Sequence, residues 1–161
     1  MIDLLTVPME IPGDANIIVG QAHFIKTVED IYEAVATTAP HAKFGLAFNE
    51  ASGACLVRSD GNDTQLIQVA IRNAQALAAG HVFVLMLAQA YPINLLNALK
   101  SVPEVCTLFC ATANSVEVVV ANNGRGRGVL GVIDGNSPKG VEGETDVAWR
   151  YELLRKFGYK R

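Results

Sequence analysis

No stretch of this chain approaches the ~18 consecutive apolar residues of a membrane-spanning helix, although half of its 161 residues are hydrophobic. Charge is scarce too: 13 lysines and arginines against 16 aspartates and glutamates give a formal net charge of -3. That balance argues against a general nucleic-acid binder, whose phosphate contacts need a basic excess. Cysteine is almost missing. Cys55, Cys106 and Cys110 are odd in number, lie in apolar runs and have no paired metal-ligand spacing. Buried, reduced thiols, a cytoplasmic location and no bound metal are therefore expected. The start, Met1-Ile2-Asp3-Leu4, lacks a basic segment ahead of an apolar one, so an unprocessed soluble protein is expected. No G-x-x-x-x-G-K-[ST] loop occurs, and the glycine-rich stretch Gly124 to Gly128 leads into a strand pattern. Walker and dinucleotide fingerprints are thus both missing.

What is present is a single well-filled core's worth of alternating and helical patterns. Ile2 to Val7 and Asn16 to Gln21 read as strands around the turn Ile11-Pro12-Gly13-Asp14. Thr27 is placed to cap a helix, with Asp30 closing a capping box, and Val28, Ile31, Tyr32 and Val35 recur at helical spacing up to Thr38. Phe44 to Asn49 and Cys55 to Ser59 read as a hairpin around Glu50-Ala51-Ser52-Gly53, with Asp60 to Asp63 as a turn beyond it. Asn62 or Asp63 caps a helix carrying Leu66, Ala70, Ala74 and Leu77, which Gly80 stops. His81 to Leu87 is apolar at nearly every position and reads as the central strand, buried on both faces. Pro92 opens a short helix with Leu95, Leu96 and Leu99. Thr107 to Ser115 begins as a buried strand and ends in small and polar residues, and Val116 to Ala121 and Val129 to Ile133 follow as strands. Glu144 to Phe157 is a last helix with Val147, Tyr151 and Leu154 expected inward. The expected class is α+β, one domain over residues 1–161, with a mixed sheet, hairpins and four helices packed on it.

Several residues carry candidate chemistry. His23 precedes the first capped helix and Lys26 follows it by three. The helix N-terminus and the ammonium would stabilise an anion beside the imidazole, as a phosphoryl-accepting histidine requires. The competing reading is a histidine hydrogen-bonded to backbone, and His81, opening the central strand after Gly80, faces the same choice. His41, beside Pro40, reads as a surface loop residue. Glu50 stands at a strand end, where a carboxylate accepts from ribose hydroxyls or holds a metal through water. Asp60, Asp63 and Asp134 fit turn and capping roles instead. Arg125 and Arg127 form either a phosphate-holding loop or a solvated hairpin turn. Cys106 and Cys110, four apart in a strand, are expected on one face, in the core and unreactive.

The stretches His23 to Asp30, Gly45 to Gly53, Ala90 to Asn94, Phe109 to Asn114 and Gly126 to Gly135, with Trp149-Arg150 and Leu154 to Tyr159, closely resemble the adenosine-specific kinase family. The resemblance spans nearly the whole chain. It implies a single-domain α+β protein of archaea and some bacteria that assembles as a homo-oligomer, a trimer being favoured. It also implies adenosine or AMP as ligand, a histidine that carries phosphate and a donor that is not specified. His23 is first choice for that histidine and His81 second. Lys26 and Arg127 would be the cations. Cys110, Ala111, Thr112 and Asn114 would hold the adenine, and Glu50 or Ser52, next to Gly53, the ribose. The chain departs from the family pattern at Asn49, where cysteine is usual, and at Ser115, where proline is usual. An adenosine or AMP binder without turnover is the alternative reading.

Overall fold

The computed structural model describes residues 1–161. The elements run β1 (Asp3–Pro8), β2 (Asn16–Ala22), α1 (Thr27–Thr38), β3 (Lys43–Asn49), β4 (Val57–Gly61), α2 (Thr64–Leu77), β5 (Val82–Ala88), α3 (Pro92–Lys100), β6 (Val105–Thr112), β7 (Val116–Asn122), β8 (Arg127–Asp134) and α4 (Glu144–Lys156). The class is α+β, and the strands sort into two sheets in place of one mixed sheet. One has five strands in the order β4-β3-β5-β2-β6 and the other three in the order β1-β7-β8. Every strand ladder is antiparallel.

β5 lies at the centre of the larger sheet, and its apolar run is buried on both faces. Val82, Val84 and Met86 face one core, which holds the α2 stripe and the inward valines of β7. Phe83, Leu85 and Leu87 face the other, with Ile31 and Val35 of α1 and Leu95 and Leu99 of α3. The molecule is therefore layered, with α1 and α3 on one side of the five-stranded sheet and α2 with the small sheet on the other. Gly45 of β3 lets α2 come this close: a Cβ there would collide with the backbone of Leu66 and Ile67.

Local chemistry explains most element ends and several departures from expectation. Asp63 caps α2, its Oδ1 accepting from the Leu66 amide at 3.0 Å. The expected capping box at α1 does not form. The helix begins at Thr27, whose buried hydroxyl donates back to the Phe24 carbonyl at 2.6 Å, while Asp30 accepts from Lys26 Nζ at 2.7 Å. α2 stops at Leu77 because Ala78 turns left-handed, φ 50°. Gly80 belongs instead to the connector, where a Cβ would press on Ala51. β4 starts at Val57, since Cys55 adopts φ 51° in the turn before it, and Asp60 and Gly61 are strand residues paired with Leu46 and Gly45.

Two core assignments are corrected. Cys55 and Cys106 are exposed and only Cys110 is half-buried. Register shifts between β2 and β6 leave Cys106 and Phe109 without a partner, so the simple alternation that would put Cys106 and Cys110 on one face breaks down. The last helix buries no residue at all. Val147 and Tyr151 are exposed and Leu154 only half-buried, because α4 extends beyond the region where the sheets supply an apolar surface.

Candidate functional site

Three chain segments meet at one end of the five-stranded sheet: the turn after β2, the loop from Glu50 to Leu56 between β3 and β4, and the residues leading into β5. They enclose a cavity of about 370 Å³ walled by His23, Phe24, Phe48, Glu50, the loop Ala51 to Ala54, Arg58 and His81. A larger cavity of about 840 Å³ adjoins it, sharing Glu50 and Ala51, and runs past Cys55, Gln75 and Ala78 to Arg125 and Arg127. Each falls in the size range of small-ligand sites.

The backbone around these cavities is held in unusual geometry. Phe24 (φ 97°), Cys55 (φ 51°), Ala78 (φ 50°) and His81 (φ 63°) all lie in the left-handed region, and each borders one of the two cavities. Such backbone persists where surrounding contacts enforce it, and it clusters at ligand sites. Here the contacts are visible. The His23 amide donates to the Glu104 carbonyl at 2.7 Å, the His81 amide to the Asn49 carbonyl at 2.8 Å, and the Ala22 amide to the His81 carbonyl at 2.9 Å. His81 stacks on Phe48 with ring centroids 5.7 Å apart, and His23 meets His81 edge-on at 6.1 Å. The two imidazoles thus lie side by side, His81 on the Phe48 ring.

Glu50 is held from two directions. Its Oε2 accepts from the Leu56 amide at 2.8 Å and its Oε1 from Arg58 Nη2 at 2.9 Å. The Leu56 amide first, and then the Arg58 guanidinium, hold its carboxyl below the usual carboxylate range. Two bonds leave acceptor capacity on both oxygens. Asn49, where cysteine is usual in the resembled family, ties the floor of the larger cavity together: its Nδ2 donates to the carbonyls of Ala74 at 2.9 Å and Ala79 at 3.1 Å.

The structure brings His23, Glu50, Ser52 and Gly53 together and separates the other sequence-selected residues from them. Lys26 is paired with Asp30 and does not wall the histidine cavity. Arg127 walls the larger cavity, with Nη1 donating to the Ala76 carbonyl at the end of α2, 3.1 Å away. Cys110, Ala111, Thr112 and Asn114 sit elsewhere. Ile17 pairs with Thr112 at the start of β2, and His23 follows the far end of that strand, roughly 20 Å away at about 3.3 Å per residue. Within one chain they do not share a pocket with His23. Cys110 packs against the core, and burial raises its thiol pKa to about 11. Thr112 Oγ1 accepts from the Asn114 amide and Asn114 Nδ2 donates to Asp134 Oδ1, both at 3.0 Å. That end of β6 is a turn held by side-chain hydrogen bonds.

Arg58 was not singled out by the sequence reading, and the structure makes it a wall of the histidine cavity. Its signal was faint: it is the sole lysine or arginine between Lys43 and Arg72, and the hairpin sets it opposite Phe48.

The fold and the site define a small α+β protein with a paired-imidazole cavity of ligand size. The chain matches the family model described as adenosine specific kinase over residues 7–160. It belongs to the adenosine-specific kinase family. No curated protein matches the chain. Among solved structures, the PH1918 protein from Pyrococcus horikoshii OT3 is similar at 41% sequence identity and a TM-score of 0.96, over 100% of this chain and 99% of that one. No helix is long and apolar enough to cross a membrane.

Proposed function

We propose that the protein binds adenosine or AMP across the two adjoining cavities and transfers a phosphoryl group through His23. The observation that carries this reading is the convergence of His23, His81 and Glu50 on one cavity, beside a second one large enough for a nucleobase. Family membership supplies the nucleoside. In this arrangement the ribose hydroxyls donate to Glu50, on the wall common to both cavities. The adenine extends into the larger one and the 5′ end points toward the imidazoles.

The chemistry follows in two displacements. An unprotonated nitrogen of His23 attacks the phosphorus of a donor, forming an N–P bond as the donor's P–O bond breaks. The adenosine 5′-oxygen then attacks that phosphorus; the N–P bond breaks, its electron pair returns to the imidazole, and His81 takes the hydroxyl proton. Stacking on Phe48 and the backbone anchors at Glu104 and Asn49 keep the rings in place for this.

A second reading, a binder without turnover, is favoured by a specific feature. Lys26 and Arg127, the cations expected to offset phosphoryl charge, are engaged by Asp30 and by the Ala76 carbonyl. A single experiment separates the readings: protein, adenosine and a phosphoryl donor carrying labelled phosphate. Label appearing catalytically in AMP, and lost in His23→Ala with adenosine binding retained, supports transfer. Stoichiometric adenosine with no label in AMP supports the binder, and full transfer in His23→Ala removes His23 as nucleophile.

For assembly, we propose a homo-oligomer, with a trimer favoured by the family likeness, and a cytoplasmic setting consistent with three free cysteines.

A further inference from the structure

We propose that Arg58 builds an anion subsite in the histidine cavity, binding a phosphoryl oxygen of orthophosphate or of a phosphomonoester. This rests on the nucleoside reading only for what the phosphoryl group is attached to.

The guanidinium commits one of its N–H donors within the protein, Nη2 to Glu50. Its Nε is buried with no acceptor at all, a state that natural structures resolve with a water, an ion or a ligand. The side chain is nevertheless 38% exposed, and it walls both the cavity that holds the two imidazoles and a neighbouring cleft beside Lys26 and Asp60. Glu50, which also walls the cavity, is paired on one oxygen with Arg58 and on the other with the Leu56 amide. Across the cavity, Ser52, Gly53 and Ala54 donate no backbone hydrogen bond, and Gly53 lies at φ 64°. Free amides in a tight loop supply further donors to an anion.

Charge alone would not hold an anion here, since Arg58 and Glu50 cancel. Recognition has to come from directed donors, and a planar fork fixed by Glu50 provides them where a lysine would not. Of the basic residues, Arg58 alone walls the cavity containing His23. It therefore takes the part expected of Lys26 and Arg127.

The test titrates inorganic phosphate into the wild-type chain, Arg58→Met and Arg58→Lys, reading the imidazole NMR resonances. The chain has three histidines, and His41, in an exposed loop, serves as internal control. Phosphate is expected to shift His23 and His81 saturably and leave His41 unmoved. Arg58→Met should raise the phosphate Kd at least about tenfold, and Arg58→Lys severalfold, because the fork is lost while the charge stays. Adenosine affinity, measured in parallel, should fall by a smaller factor than phosphate affinity, because Glu50 keeps its bond from the Leu56 amide when Arg58 is replaced. Should Arg58→Met not fold, the lysine variant carries the comparison. Unchanged phosphate affinity in the folded variants overturns the proposal. An equal loss of phosphate and adenosine affinity overturns it too, because Arg58 would then act only by holding Glu50. AMP displacing phosphate from His23 and His81 would show that a phosphomonoester uses the same subsite. Arg58-dependent phosphate binding without adenosine uptake by the wild type would sink the nucleoside reading and leave the subsite standing.

Discussion

Glu104 is the residue whose environment is hardest to reconcile with an ordinary carboxylate. It is 8% exposed, its Oε1 has no partner, and it faces Asp30. Burial, and then the neighbouring Asp30, push its carboxyl above the usual range, while the Lys26 ammonium pulls Asp30 below it. The sign for stability follows from the raised value. Glu104 is protonated in both folded and unfolded chains below the ordinary glutamate range, so no penalty arises there. As pH rises the unfolded chain ionises first, and stability is lost up through the raised folded value. Glu104→Gln should therefore raise the melting temperature by about 2–4 °C at pH 8, the size of a change of about 1 kcal/mol in a chain of this length, with little difference at pH 4. Thermal denaturation at the two values checks it, and a destabilised variant at pH 8 would contradict it. Sequence alone could not have shown this, because burial of Glu104 depends on how β6 enters the sheet beside α1. The same limit applies to Arg58. Its neighbour Glu50 was identifiable from its place at a strand end, but the partner that orients it lies across a hairpin turn.

At the scale of elements, hydropathy period did most of the work wherever a segment is buried by the two sheets. β5 was legible as the central strand because both of its faces are covered, and α1, α2 and α3 were legible from apolar spacing and from Asp63 and Pro92 at their starts. The same reasoning found α4 but failed for its inward face, where apolar residues are present but no core lies beneath them. It also failed for the cysteines, since bulges in β6 change which face each residue takes. Gly45 tests the layered packing. Gly45→Ala places a methyl against the α2 backbone at Leu66 and Ile67, where no rotamer change relieves the clash. A loss of about 3 kcal/mol or more is expected in chemical denaturation, at the upper end of over-packing costs. A loss under about 1 kcal/mol would mean that α2 does not approach β3 so closely.

At the scale of the whole molecule, the tail stands out. Trp149 is 63% exposed and Phe157 61%, and Val141, Tyr151 and Tyr159 are exposed with them, an apolar surface of the kind that marks an interaction site. If it holds copies together, removing residues 144–161 should leave a folded protein, since no residue of α4 is buried in its own chain. The truncated form should sediment as a monomer while the full chain sediments as a homo-oligomer; a monomeric full chain, or an assembled truncated one, would contradict this. The site was legible in part at this scale. His23, Glu50, Ser52 and Gly53 converge on one cavity, whereas Cys110 to Asn114 lie toward the other end of the sheet. Motif spacing along the chain says which residues matter to a family and not which of them meet. The central claim is that the nucleotide lies across the cavities on either side of Glu50 and Ala51. A crystal structure grown with AMP tests it most directly. The ribose is expected on Glu50, with the phosphate within hydrogen-bonding reach of His23 and Arg58; AMP bound instead at Cys110 to Asn114, or no AMP bound at all, would contradict the account.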